Sequence, residues 1–252
     1  MRIMIVGGHG QVARLALPLL VRGGHHVTAV VRNPAQVADV EATGARVIVS
    51  DLELLDEAST RELVAGCDAV VWAAGAGSED PGRTYAVDRD AAIRTIDAAA
   101  AEGVSRFVML SYVGSGHDAV PEGDPLHAYA EAKAAADGHL RRSSLNWTIL
   151  APALLTDDAK SGRIDYGDQV TRGKVSRGNV ADLLVGVVGR TDLAGVTIRF
   201  RDGWTSAWEA MESLSRRLAG RPFAARREGY RMAPEPERSV RPNRGVRQVG
   251  VE

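Results

Sequence analysis

The sequence holds one cysteine, Cys67, among 252 residues. A single thiol cannot close an intramolecular disulfide, so a disulfide framework is excluded and a reducing, cytoplasmic setting is expected. Aromatic residues are sparse at 5%, and the formal net charge is only -1. That balance supplies no overall pull toward nucleic acid or an anionic membrane, and neither is expected as a main partner. No apolar stretch reaches the roughly 18 residues that a spanning helix needs, and the N-terminus enters a strand pattern at once, without a signal-peptide layout. The six histidines show no metal-ligand spacing, so no metal site is expected.

What is present is the composition of a globular domain, 45% hydrophobic and 25% charged, enough for a substantial core. Short β-branched runs alternate with longer alanine- and leucine-rich segments, the pattern of βαβ units around a parallel sheet. Strands are predicted at Arg2–Val6, His26–Val31, Arg46–Val49, Ala69–Ala73, Arg106–Ser111, Trp147–Leu150 and Thr197–Arg201. Helices are predicted at Gln11–Arg22, Pro34–Ala42, Glu57–Ala65, Asp88–Glu102, Ala128–Arg142, Val180–Val188 and Ser206–Leu218. The expected fold is therefore α/β, a Rossmann-type doubly wound parallel sheet forming one domain over residues 1–218, with a small substrate-side region. Residues 219–252 form a separate arm rich in arginine and proline, with almost no apolar periodicity. An oligomer clasp is the expected role of this arm, since its poor aromatic interleaving argues against nucleic acid.

The most informative stretch is Gly7-Gly8-His9-Gly10-Gln11-Val12-Ala13, directly behind the apolar run Ile3–Val6. A strand that ends in glycines and opens into a helix brings backbone close to a pyrophosphate, whose charge meets unpaired N–H groups and the helix dipole. Gly7 would permit the tight exit, Gly8 and Gly10 the approach of phosphate, and Ala13 close helix–strand packing. After the second strand comes Arg32, where NAD-preferring folds place a carboxylate for the ribose hydroxyls. A cation there can pair bidentately with a 2′-phosphate, which favours NADP over NAD; the other reading is a solvated arginine at a strand end. Past the third strand, Asp51, beside Leu52, could accept from an adenine amino group or cap its own loop. The fourth strand runs into Ala73-Ala74-Gly75, small residues that leave room for a ribose and nicotinamide.

Tyr129 and Lys133 stand four residues apart on a predicted helix and so share a face. A phenol titrates near pH ~10, but a neighbouring ammonium lowers that value and makes the group usable as an acid or base. Ser111, ending the preceding strand, could donate a hydrogen bond to a substrate carbonyl and fix it beside Tyr129.

With these residues in place, the chain resembles the short-chain dehydrogenase/reductase superfamily, in its atypical NAD(P)H-binding branch related to the extended sugar-nucleotide epimerases. The resemblance spans about Met1 to Leu218 and rests on the glycine turn, Val87-Asp88-Arg89-Asp90-Ala91-Ala92-Ile93, Gly103 to Ser111, Tyr129 with Lys133, and Asn146-Trp147-Thr148-Ile149-Leu150-Ala151-Pro152. It implies a catalytic set of Ser111, Tyr129 and Lys133, with Gly7, Gly10, Arg32, Asp51, Ala73, Ala74, Gly75 and Pro152 around the cofactor. Asp88 departs from the asparagine frequent in extended relatives, and Ala151 from the arginine many members of the branch carry. Substrate identity falls to Val113–His127, with His117 and His127, and to Ala153–Val175. Two function classes follow. One is an NADP-dependent reductase, dehydrogenase or epimerase acting on a small carbonyl or alcohol, with Tyr129 as acid/base. The other is a non-catalytic NADP-binding regulatory protein of the same fold.

Overall fold

The computed structural model describes residues 1–77, 80–116, 120–221 and Arg226. In chain order the strands are β1 (Arg2–Val6), β2 (His26–Val31), β3 (Arg46–Val49), β4 (Ala69–Trp72), β5 (Arg106–Leu110), β6 (Asn146–Pro152), β7 (Leu154–Thr156), β8 (Arg163–Tyr166), β9 (Lys174–Ser176), β10 (Val196–Asp202) and β11 (Thr205–Ser206). The α-helices are α1 (Gln11–Arg22), α2 (Val37–Glu41), α3 (Glu57–Val64), α4 (Pro81–Thr84), α5 (Ala92–Ala101), α6 (His127–Arg142), α7 (Arg177–Val188) and α8 (Ala207–Leu218).

The main sheet runs β11-β8-β10-β6-β5-β4-β1-β2-β3, and every pairing from β10 through β6, β5, β4, β1 and β2 to β3 is parallel. Chain direction across the sheet reverses between β1 and β4, which creates a crevice at their carboxyl ends where α/β folds bind ligands. Alternation along the central strands builds two cores. Ile3 and Ile5 of β1 and Ala69 and Val71 of β4 face α1 and α7, whereas Met4, Val6, Val70 and Trp72 face the other layer with Ile96, Leu140 and Trp147. Cys67 packs half-buried against the second core, and burial pushes its thiol pKa up. Fully buried Arg106, at the start of β5, ties β6 to α7. Its guanidinium donates to the Asn146 and Val187 carbonyls and the Thr148 hydroxyl, and burial lowers its pKa to about 10.

The seven predicted strands are all present, but four short ones escape the sequence pattern. β8 pairs antiparallel with β10 and β11, while β7 and β9 form a separate two-stranded sheet. Two to four residues show no usable alternation, and their strand character comes from the partners they meet. The helix expected from Asp88 is preceded by α4 and by a π-helical turn, Tyr85–Ala91, that runs into α5. The helix expected from Val180 starts at Arg177 because the Ser176 hydroxyl accepts from the Asn179 amide as its cap. Of the arm expected over 219–252, all but residues 219–221 and Arg226 lies outside the described residues. The Arg226 guanidinium donates to the carbonyls of Leu218, Asp192 and Ala194.

Candidate functional site

The turn after β1 is built from backbone. Gly7 has φ +85, and a Cβ on it would stand 2.6 Å from the Ala74 backbone, so only glycine lets the β1 and β4 turns touch. The amides of Gly7 and Gly8 both donate to the Val30 carbonyl, and the Gly10 amide donates to the Gly7 carbonyl. Gly10 is the N-cap of α1; no side chain caps the helix, and no acidic residue occupies its first turn. The turn borders a cleft of about 390 Å³ whose lining includes Gly7, His9, Gly10, Arg32, Asp51, Leu52, Ala73, Ala74 and Gly75.

Several residues expected at the cofactor have other work. Gly8 is buried, and a Cβ there would meet the Ala29 Cβ at 2.5 Å, so its smallness serves packing on β2. Val12 directs its side chain into the core, so only its amide is left for a ligand. Gln11 is exposed, and the His9 ring is held 3.1 Å from Asp39. Asp51 accepts from the Glu53 amide, which is the loop-capping alternative, while still lining the cleft. Pro152 is buried at the end of β6, where its carbonyl accepts from the Val113 amide; it does not line this cleft. The half-exposed Arg32 guanidinium stands 3.4 Å from Glu53. Across the cleft Arg83, which no strand or helix signal singled out, donates twice to the same carboxylate oxygen at 3.0 and 3.1 Å.

The second half of the site lies along α6. Tyr129, Lys133, Asp137 and Arg141 recur every four residues and stack along one face. The Lys133 Nζ lies 5.8 Å from the Tyr129 ring centroid, 2.9 Å from Asp88 Oδ1 and 3.4 Å from the Leu110 carbonyl. Asp88, fully buried on the π-helical turn, takes the Ala76 amide with its other oxygen and so ties α6 to the loop after β4. The Ser111 hydroxyl donates to Asp137 at 2.6 Å, as does that of Ser115. The Tyr112 ring lies 5.4 Å from that of Tyr129. Tyr129 and Lys133 thus share one face of α6 beside the end of β5, while Ser111 meets that helix at Asp137, two turns beyond Tyr129; Asp88 and Asp137 are partners that short-range sequence patterns could not reveal.

Electrostatics here differ from the sequence expectation in two ways. Burial raises the Tyr129 pKa above its ordinary value; Lys133 opposes the rise, and Asp88 and Asp137 add to it. The lowering expected from Lys133 is outweighed because the buried phenol has lost its water and the Asp88 and Asp137 carboxylates oppose its ionisation. For Lys133, burial works against the charge, but Tyr129 and Asp88 outweigh it and its pKa rises. Ser111, expected to donate toward a substrate carbonyl, spends its proton on Asp137 and is left with lone pairs. Burial also pushes the Asp137 carboxyl up, against Arg141, Ser111, Ser115 and Lys133.

On the substrate side, the His127 ring contacts the Val120 carbonyl and Arg177 pairs with Asp157 at 2.8 Å, while His117 lies outside the described residues. Among the described residues no group of three or more His, Cys, Asp or Glu side chains is placed to hold a metal, and no helix is long and apolar enough to cross a membrane.

A glycine turn at the switch point of a doubly wound, mostly parallel sheet defines an NAD(P)-binding Rossmann-type protein. Residues 7–191 match the NAD(P)H-binding family, and the chain belongs to it. It is 31% identical over 219 residues to the Bacillus subtilis protein YhfK, described as an uncharacterized sugar epimerase, covering 85% of this chain and all of that one. A solved Bacillus halodurans structure named for an NAD-dependent epimerase/dehydratase is 33% identical, with a TM-score of 0.77 over 84% of this chain and 99% of that one. The Lactococcus lactis oxidoreductase YlbE is 30% identical, with a TM-score of 0.75 over 85% and 96% of the two chains. A Veillonella parvula short-chain dehydrogenase/reductase in complex with NADP, 19% identical at a TM-score of 0.63, shares the fold over 81% of this chain and 95% of that one.

Proposed function

We propose that the protein is an NADP-dependent oxidoreductase of the short-chain dehydrogenase/reductase type that reduces or oxidises a small carbonyl or alcohol substrate. The observation that carries this reading is the Tyr129 and Lys133 pair on one face of α6, with the Lys133 ammonium 5.8 Å from the Tyr129 ring centroid and 3.4 Å from the Leu110 carbonyl at the carboxyl end of β5. The residues around the switch point fit a dinucleotide: a Cβ on Gly7 would collide with the β4 loop, and no side chain caps the first turn of α1. Gly7, Gly10 and the start of α1 would hold the pyrophosphate, Arg32 the 2′-phosphate, and Ala73 to Gly75 the passage toward the ribose and nicotinamide. When bound, the cofactor supplies or takes a hydride.

The protein's own part is to move a proton. With a raised pKa, Tyr129 keeps its phenolic proton at neutral pH and can deliver it to a substrate oxygen that becomes an alcohol. Lys133, anchored by Asp88, stays charged beside the ring and stabilises the phenolate left behind. Ser111, donating its proton to Asp137, offers lone pairs that can accept from a substrate hydroxyl. NADPH oxidation measured over a panel of small aldehydes and ketones tests the reading. Turnover that disappears in Tyr129→Phe supports it.

A second reading, a non-catalytic NADP-binding regulatory protein, has one observation in its favour: Lys133 and Ser111 are both already engaged by buried carboxylates. NADPH binding with no turnover that depends on Tyr129 would select it. Arg32→Glu should weaken NADPH binding on either reading, and unchanged affinity would remove the 2′-phosphate assignment. A homo-oligomer clasped by the arm after Leu218 is proposed alongside. Truncation beyond Arg221 that leaves the solution mass unchanged would count against it.

A further inference from the structure

Glu53 is held between two arginines at the open end of the cleft. Its Oε1 accepts from Arg83 Nε at 3.1 Å and Nη2 at 3.0 Å, and stands 3.4 Å from Arg32 Nη1. One oxygen therefore serves three N–H groups from two sides of the cleft that Gly7 and Gly10 also line. The pieces are fixed independently of one another. Arg94 on α5 donates to the Leu52 carbonyl at 2.7 Å, steadying the turn that carries Glu53. Arg83 sits within α4, which Asp80 caps and which Thr84 ties to the Gly77 carbonyl. The turn bearing Arg32 is steadied by Asn33, whose side chain accepts from the Ala35 amide.

We propose that Arg83 joins Arg32 across the cleft to form a two-arginine clamp for the 2′-phosphate of NADP, and that Glu53 occupies the clamp until the phosphate exchanges with it. The inference rests on the NADP reading above and extends it to two residues not otherwise assigned. A guanidinium presents a planar fork that suits phosphate bidentately. A phosphate monoester offers three oxygens and a charge of about -1.5 to -2 where Glu53 shares one oxygen. Both arginines are partly exposed, Arg32 at 53% and Arg83 at 38% of the side chain, so a carboxylate partner is held weakly and yields to a stronger anion. The opposite assignment has Glu53 accepting from the ribose hydroxyls of NAD, with the arginines merely orienting it.

NADPH and NADH affinities of the full chain, read by nucleotide fluorescence, and competition by adenosine 2′-monophosphate against the 5′-isomer, separate these assignments. The clamp predicts that Arg83→Gln weakens NADPH by about tenfold while leaving NADH unchanged, the usual scale for losing one charge-assisted contact. It further predicts that Glu53→Gln tightens NADPH a few-fold and that the 2′-isomer competes better. If Arg32→Gln removes the NADPH preference but Arg83→Gln does not, the clamp fails and the NADP reading stands. If neither arginine matters, the NADP reading fails with it. A Glu53→Gln protein that loses NADH affinity and keeps NADPH affinity would make Glu53 the ribose acceptor and overturn the proposal. Circular dichroism on each variant separates a lost contact from a lost fold.

Discussion

The two halves of the candidate site are made from different materials. At the β1 turn the working groups are backbone amides and absent side chains, and the charged residues nearby, Arg32, Glu53 and Arg83, are partly exposed. Along α6 the working groups are side chains held by buried carboxylates, with Asp88 at 0% and Asp137 at 1% relative exposure. The difference follows from the two tasks. A pyrophosphate is met by many weak N–H dipoles that only a close backbone can supply. Proton transfer needs one group at a set place and pKa, and burial with fixed partners provides both.

The comparison can be broken or sharpened by substitution. The largest effect is expected for Tyr129→Phe: steady-state turnover falls by about 10²–10⁴-fold while NADPH fluorescence titration shows little change, since the lost hydroxyl acts on substrate and not on nucleotide. An equal loss of binding would erase the division between the two ends. Next, Asp88→Ala leaves Lys133 charged, buried and unpaired; chemical denaturation should register a loss of about 3–5 kcal/mol, with most of it recovered in Asp88→Leu/Lys133→Met. A single variant as stable as the parent would mean that water already compensates the ammonium.

Gly7→Ala strikes the other end. The strained φ and the collision with Ala74 should cost about 1–3 kcal/mol in a thermal melt and abolish NADPH binding, because the phosphate turn must reshape. The smallest effect is a pH dependence. With the Tyr129 pKa above its unfolded value near 10, the folded state holds the proton more tightly. Its contribution is therefore complete below about pH 10 and is lost as pH rises through the folded value. Tyrosinate absorbance of the parent minus that of Tyr129→Phe should show no ionisation of this ring below about pH 10. Ionisation at neutral pH would return Lys133 to the role that spacing alone suggests.

How much could be read in advance differs between the ends in the same way. The glycine turn, Arg32 and the small residues after β4 are contiguous signals, each sitting directly behind a predicted strand. Even there, the packing of Gly8 on β2 is not legible, because its neighbour Ala29 lies on another strand. The Tyr129 and Lys133 pair was legible from helical spacing. Asp88, Asp137, Glu53 and Arg83 were not, because each gains its meaning from a partner brought near by sheet order.

Sequence alone determined the alternation of strands and helices, the parallel sheet, the nucleotide turn and the shared face of Tyr129 and Lys133. All of these rest on periodicity and on the local demands of glycine, which act over a few residues. Only the tertiary structure decided that Lys133 is paired and stays charged, that the Tyr129 phenol is raised and not lowered, that Ser111 has spent its proton, and that two arginines share Glu53. Those outcomes depend on desolvation and on charges a few ångströms apart in space but distant along the chain. The local pattern carries no record of them.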